Sequence, residues 1–168
     1  MLYLKKFDTH TEYQTYINGQ DKILPNVSYC EDNNEVHYNP WTYAEEYLTF
    51  VALEDGSFTF TPQNNNVISY STDNGETWTT GNSVNVTTGD KVLWKGEMTP
   101  NSNGIGTFSS SAEFDAKGNV MSLLYGDNYK GQTNLTGYNS AFYTLFYQNT
   151  KIINAKNLSL PATTLASY

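Results

Sequence analysis

The chain has 168 residues, 38% of them hydrophobic and 15% aromatic, with a formal net charge of -8. That length allows one ordinary domain with a core plus an appendage, and it is too short for a six-bladed propeller. All nine cations are lysines, and with so acidic a balance nucleic acid is excluded as a partner, because affinity there comes largely from cationic side chains on phosphates.

Fourteen tyrosines and eight phenylalanines among many Thr, Ser and Asn residues suit pleated, half-buried surfaces, so the chain is expected to be mainly β. The single cysteine, Cys30, leaves no intrachain disulfide and no cysteine-rich metal site, and it reads as an inert thiol. The start "MLYLKKFDTHTEY" lacks the apolar core of a signal peptide, and no run of about 18 apolar residues occurs. The expectation is synthesis in a cytosol and no membrane insertion.

In chain order, "LYLKKF" alternates like a short strand. "DTHTEYQTYING" then predicts a short helix, capped by Asp8 or Thr9 and ended by Asn18 and Gly19. Two β-prone pieces follow, "NVSYC" and "EVHYN", joined by the turn-forming "EDNN" in an extended run containing Pro25 and Pro40. About forty residues without disulfide or metal bury too little surface to stand alone. Residues 1–43 are therefore expected to be a docking arm, covered by a partner through Tyr3, Phe7, Tyr13, Ile23, Leu24, Pro25, Val27, Tyr29, Val36, Tyr38 and Pro40.

Over 44–135 short strands alternate with turns. "EYLTFVAL" and "SFTFTP" flank "EDG", with Phe50, Phe58 and Phe60 as core candidates, and "NVISYS" and "ETWTT" flank "TDNG". "SVNVTT", "DKVLWKGE", "GTFSSSAEFDA" and "NVMSLLYG" continue the pattern at strand spacings near 8–12 residues, which predicts an antiparallel β-sandwich. In 136–168, Phe142, Leu145 and Phe146 fall at helical spacing, before a leucine-bearing run, "LSLPATTL".

One motif carries a chemical suggestion. Ser71, Asp73, Gly75, Thr77 and Trp78 fit Ser/Thr-x-Asp-x-Gly-x-Thr-Trp, which resembles the Asp-box of sialidases and other sugar-active propellers. Sialidases hold the substrate carboxylate with an arginine cluster, and this chain contains no arginine. The physical reading is structural: a carboxylate accepting turn amides, a glycine allowing positive φ, and an indole ring packed over the hairpin base.

Catalysis finds little else to work with, and no catalytic residue is assigned. Glu54, Asp55, Glu76, Glu97, Glu113 and Asp115 lie in or beside turns, where nothing singles out the spaced pair a glycosidase requires. His10 and His37 lack the context of a metal site, no Gly-x-Ser-x-Gly elbow occurs, and the Asp/Asn-rich turns do not follow calcium-loop spacing. No metal or cofactor is expected. Trp41 and Trp94 are candidates for stacking on a glycan, against the alternative of packing.

Two further resemblances bear on function. "LFYQNTKIINAKNLSLPATTLASY" is similar to one repeat of the BspA-like leucine-rich repeat proteins, through Leu145, Phe146, Ala155, Leu158, Leu160, Pro161, Ala162 and Leu165. The cysteines usual in those repeats are missing, which suits a capping repeat. The segments "ALEDGSFTF", "YSTDNGETW", "VLWKGE" and "FSSSAEFDAKGNVMSLLYGDN" resemble the β-domain that precedes such repeats. The segment "YLKKFDTHTEYQTYINGQDKILPNVSYCEDNNEVHYNP" resembles an N-terminal segment of structural proteins of phages infecting Bacteroidetes, including crAss-like phages.

These resemblances imply a non-enzymatic virion protein, a capsid-surface or fibre and tail attachment module. Its arm would dock on other virion proteins, and its β-domain and leucine-rich-repeat-like cap would be displayed for adhesion to a host-surface glycan or protein. They further imply a homo-oligomer made in the host cytoplasm. A BspA-like bacterial surface adhesin and a carbohydrate-binding module remain as alternatives.

Overall fold

Strands form where apolar and polar residues alternate, and a computed structural model describes residues 4–7, 27–30, 35–38 and 46–164. The chain divides into two compact units, Met1–Thr42 and Tyr43–Tyr168.

In the first unit β1 (Leu4–Phe7), β2 (Val27–Cys30) and β3 (Glu35–Tyr38) form one sheet in the order β1-β2-β3. β2 and β3 pair antiparallel from Val27↔Tyr38 to Cys30↔Glu35, matching the two β-prone pieces in the sequence. β1 and β2 run parallel from Leu4↔Val27 to Phe7↔Cys30. Parallel neighbours cannot be joined by the tight turn that serves an antiparallel pair. The short helix expected over 8–19, and the arm residues Tyr3, Tyr13, Ile23, Leu24, Pro25 and Pro40, lie outside the described residues.

The second unit is built from β4 (Leu48–Ala52), β5 (Gly56–Pro62), β6 (Ile68–Ser71), β7 (Thr79–Thr80), β8 (Ser83–Val86), β9 (Lys91–Gly96), β10 (Gly106–Ser110), β11 (Phe114–Asn119) and β12 (Ile152–Ser159). They make a three-stranded antiparallel sheet, β10-β5-β8, and a six-stranded sheet, β12-β11-β4-β9-β6-β7. Period-two alternation decides what each strand buries. Val84 and Val86 on β8, Val92 and Trp94 on β9, and Phe114 and Ala116 on β11 turn inward while their neighbours face out.

The inner faces meet across aromatic rings. Phe50 of the larger sheet lies 4.8 Å from Phe108 and 5.4 Å from Phe58 of the smaller, at interplanar angles of 75° and 84°. Edge-to-face geometry of this kind adds to the roughly 2–3 kcal/mol that burying each ring contributes. Trp94, Phe58, Phe60, Phe108 and Phe114 are essentially inaccessible to solvent.

Two features depart from the expected antiparallel order. β12 pairs parallel to β11, with Gly118↔Leu158 and Asn119↔Ser159, so the larger sheet is mixed. The connection between them passes through the short helix α1 (Ser122–Tyr125) and then a series of turns. Phe142, Leu145 and Phe146, at helical spacing in the sequence, lie in these turns and not in a helix.

The turns repeat every four residues. Tyr143, Tyr147 and Asn149 donate their amides three residues back, and Ser140, Thr144 and Gln148 take φ of 57°, 63° and 57°. The physical reason is the neighbouring edge. The ribbon offers the Ala141 and Leu145 carbonyls to the Ile105 and Phe108 amides at 3.1 and 2.8 Å, and Asn149 Nδ2 donates to the Phe108 carbonyl at 3.1 Å. A helix would consume its own carbonyls and leave the outer edge of β10 open. Ala141 and Leu145 are buried in the same core as the strands, so residues 136–164 pack as part of the second unit.

Candidate functional site

The Asp-box motif closes the hairpin between β6 and β7, which pair through Ser69↔Thr80 and Tyr70↔Thr79. Ser71 ends β6 and is 2% exposed. Its hydroxyl donates to Asp73 Oδ1 at 2.6 Å and accepts the Gly75 amide at 2.9 Å. The Asp73 carboxylate accepts the Thr77 amide at 2.9 and 3.1 Å and the Thr77 hydroxyl at 2.5 Å. Asn74 and Gly75 turn the chain with φ of 60° and 93°, conformations suited to Asn and Gly.

This bonding sets the electrostatics. Hydrogen bonds from the Ser71 hydroxyl, then from the Thr77 hydroxyl and amide, hold the Asp73 carboxyl well below the usual carboxylate range. An ionised group so engaged has no proton to give at neutral pH, and its acceptor sites are filled by its own hairpin.

Trp78 fastens the hairpin to the outer face of the larger sheet. Its ring meets Tyr47 edge-on at 4.9 Å, and Lys95 Nζ lies 4.1 Å from its centroid. The same ammonium binds both oxygens of Asp127 at 2.7 and 2.9 Å, and the Tyr47 hydroxyl donates to Asp127 at 2.7 Å. Burial, and then the hydrogen bond to the Asp127 carboxylate, push the Tyr47 phenol up to about 12. Asp127 in turn is lowered by hydrogen bonds from Lys95 and Tyr47.

Trp94 is placed where no sugar can reach it. The ring is 0% exposed, with Phe108 at 5.1 Å, Tyr70 at 5.7 Å and Phe50 at 5.8 Å, so it packs the core instead of offering a stacking face. Its Nε1 has no hydrogen-bond partner among the described residues. Trp41 lies outside the described residues, as does His10. Cys30 and His37 are in strands β2 and β3.

Of the carboxylates considered for catalysis, Glu54 and Glu113 are neighbours around Lys151. Glu54 pairs with Lys151 at 2.9 Å and accepts the Glu113 amide at 3.0 Å, and Asp55 accepts the Thr88 amide at 2.8 Å. Among the described residues no group of three or more His, Cys, Asp or Glu side chains is placed to hold a metal ion. No described helix is long and apolar enough to cross a membrane.

Two concavities escaped the sequence. One, of about 570 Å³, is an apolar groove formed by Phe142, Leu145 and Phe146 of the turn ribbon with Val120, Leu158 and Leu160. The other, of about 260 Å³, adjoins the Asp-box hairpin on the outer face of the six-stranded sheet, with Asn74, Tyr47, Thr49 and three lysines in its walls. Pairing registers align Lys117 with Thr49, Thr49 with Leu93, and Leu93 with Ser71, so four strands contribute to one row. The alternation in "KVLWK" carries a partial signal, since it puts Lys91, Leu93 and Lys95 on the face opposite Val92 and Trp94.

Comparison with protein-family models, with curated proteins and with solved structures gives no match.

Proposed function

We propose that this chain is a non-enzymatic structural protein of a phage virion, a capsid-surface or fibre and tail attachment module. In this reading residues 1–43 dock on other virion proteins, 44–135 form a β-sandwich spacer, and 136–168 form a leucine-rich-repeat-like cap that presents an adhesive surface. The observation that supports it best is the stacking of β12 on β11. The run that resembles a BspA-like repeat lies parallel against the preceding strand, with register shifts on either side of Asp115, and a second parallel bridge, Asn134↔Thr164, follows the same course.

That is how a solenoid coil rests on its predecessor, each burying what the other cannot bury alone. The Asp-box chemistry agrees, because the Asp73 carboxylate is spent on its own turn. The arm enters the reading through its resemblance to phage structural proteins.

Sedimentation of phage particles from a lysate of infected cells tests the proposal. The protein is expected in the particle band at a fixed ratio to the major capsid protein. Its recovery only in the soluble fraction would overturn the virion assignment.

A further inference from the structure

A chain of net charge -8 has nine lysines to distribute, and three of them, Lys91, Lys117 and Lys130, line the hollow of about 260 Å³ beside the Asp-box. Register explains two of the three. β9 and β11 flank β4, so Lys91 and Lys117 project from strands on either side of Thr49 and Val51, and Lys130 arrives on the turn after Tyr129. Lys117 is answered by Glu46 at 3.3 Å. Lys91 and Lys130 make no ion pair among the described residues, and both are exposed.

One carboxylate, Glu46, is in the wall itself, where Lys117 answers it, and two acidic groups nearby are committed elsewhere. Asp73 is bonded within its hairpin, and Asp127 is held by Lys95 and Tyr47. Asp115 lies in the same row as Lys91, two strands away, with Val51 of β4 between them, and is not in the wall. With three lysines against one glutamate in its walls, the hollow is a net positive recess on an acidic molecule, and such a recess concentrates ligands of the opposite sign.

Its size and walls narrow the ligand further. About 260 Å³ is roughly nine times the ~30 Å³ share of one water in the liquid, more than a bare phosphate fills and of the order of a monosaccharide. The walls mix the Tyr47 ring and the Leu93 side chain with the Asn74 amide, which offers a donor and an acceptor. Such a mixture of apolar wall and convergent polar groups fixes a polyhydroxylated ring.

We infer that this hollow binds a small anionic sugar, one bearing a carboxylate or a phosphate group. Lys91 and Lys130 take the anionic group, and the Tyr47, Leu93 and Asn74 wall takes the ring. The site does not depend on the virion proposal, because it is defined by residues of the second unit alone.

NMR titration of the isotope-labelled full chain with glucuronate, glucose 6-phosphate and neutral glucose tests it. Either acidic sugar is expected to shift the amides of Asn74, Lys91 and Leu93 in a saturable way, and glucose to leave them still. Saturation by one acidic sugar alone supports the site and assigns it to that anionic group. Lys91→Gln with Lys130→Gln, both at exposed positions, should weaken binding about five- to tenfold, the scale of two solvent-exposed charge contacts. Lys156→Gln, on β12 away from the hollow, should not change it. The inference is overturned if neither acidic sugar saturates these amides, if glucose shifts them equally, or if the double substitution leaves affinity unchanged.

Discussion

Lys95 Nζ sits 4.1 Å from the centroid of the Trp78 ring while holding the Asp127 carboxylate at 2.7 and 2.9 Å, so one ammonium joins the Asp-box hairpin to the turn after α1. Removing the ring forfeits both this contact and the edge-on meeting with Tyr47 at 4.9 Å. Trp78→Ala is expected to destabilise the second unit by about 1–2.5 kcal/mol, the sum of an aromatic pair and an exposed cation–π contact. Urea denaturation followed by far-ultraviolet dichroism measures it. Unchanged stability would mean that the indole merely lies on the surface.

The Asp73 carboxyl yields a pH prediction. Its pKa in the folded protein is depressed, chiefly by hydrogen bonds from Ser71 and Thr77, while the unfolded value lies near the ordinary ~4. A depressed pKa contributes stability that is fully present above the unfolded value and is lost as pH falls toward the folded one. Stability should therefore fall steadily from about pH 4 downward. Asp73→Asn should lower the thermal midpoint at pH 7 by a few degrees and flatten the acid limb. Some slope will remain, since Glu54 and Asp127 are also lowered. Acid limbs of equal steepness in the two proteins would contradict the structural role of this carboxylate.

Gly118 has no alternative residue. At φ +81°, a Cβ there would stand 2.0 Å from the Tyr47 carbonyl oxygen and 2.8 Å from its carbon, backbone that cannot swing aside. Gly118→Ala is expected to cost about 3 kcal/mol or more, combining left-handed strain with separation of β4 from β11. Gly89 provides the comparison, with a similar φ of +94° and nothing within 4 Å of its Cβ position. Gly89→Ala should cost only the conformational part, about 1 kcal/mol. Equal losses in the two variants would show that the close approach to Tyr47 contributes nothing.

What the sequence revealed and what it hid divide by range. The Asp-box was readable because Ser71, Asp73, Gly75 and Thr77 bond to one another within a few positions. The strands "LTFVA" and "GSFTFTP" were readable because period-two burial is written locally. The parallel seating of β12 on β11 was not, since the pairs Phe114↔Ile152 and Asn119↔Ser159 are set by the whole intervening chain. Trp94 is a candidate for sugar stacking in the sequence because an alternating strand has two faces, and only Phe108 of the opposing sheet and Phe50 of the adjacent strand say which is inside. The lysine hollow depends on β4, β9 and β11 lying side by side, a fact no single segment contains.

The turn ribbon gives the last prediction, with an unusual sign. Gln148 adopts φ 57°, a left-handed conformation that costs a non-glycine residue roughly 1–2 kcal/mol. Its exposed side chain makes one hydrogen bond, donating Nε2 to the Tyr147 hydroxyl at 3.3 Å. Glycine removes the strain but brings back about 0.5–1 kcal/mol of unfolded-chain entropy. Gln148→Gly should therefore stabilise the protein by about 0.5 kcal/mol, the difference between these two effects. Thr144, at φ 63°, separates strain from bonding, because its hydroxyl donates to the Asn103 carbonyl at 3.0 Å and accepts from Thr107 at 3.3 Å. Thr144→Gly should lose about 1 kcal/mol of hydrogen bonding and cancel the relief. Denaturation midpoints at matched slope distinguish the two, and a Gln148→Gly protein less stable than its parent would rule out left-handed strain as a cost borne by the ribbon.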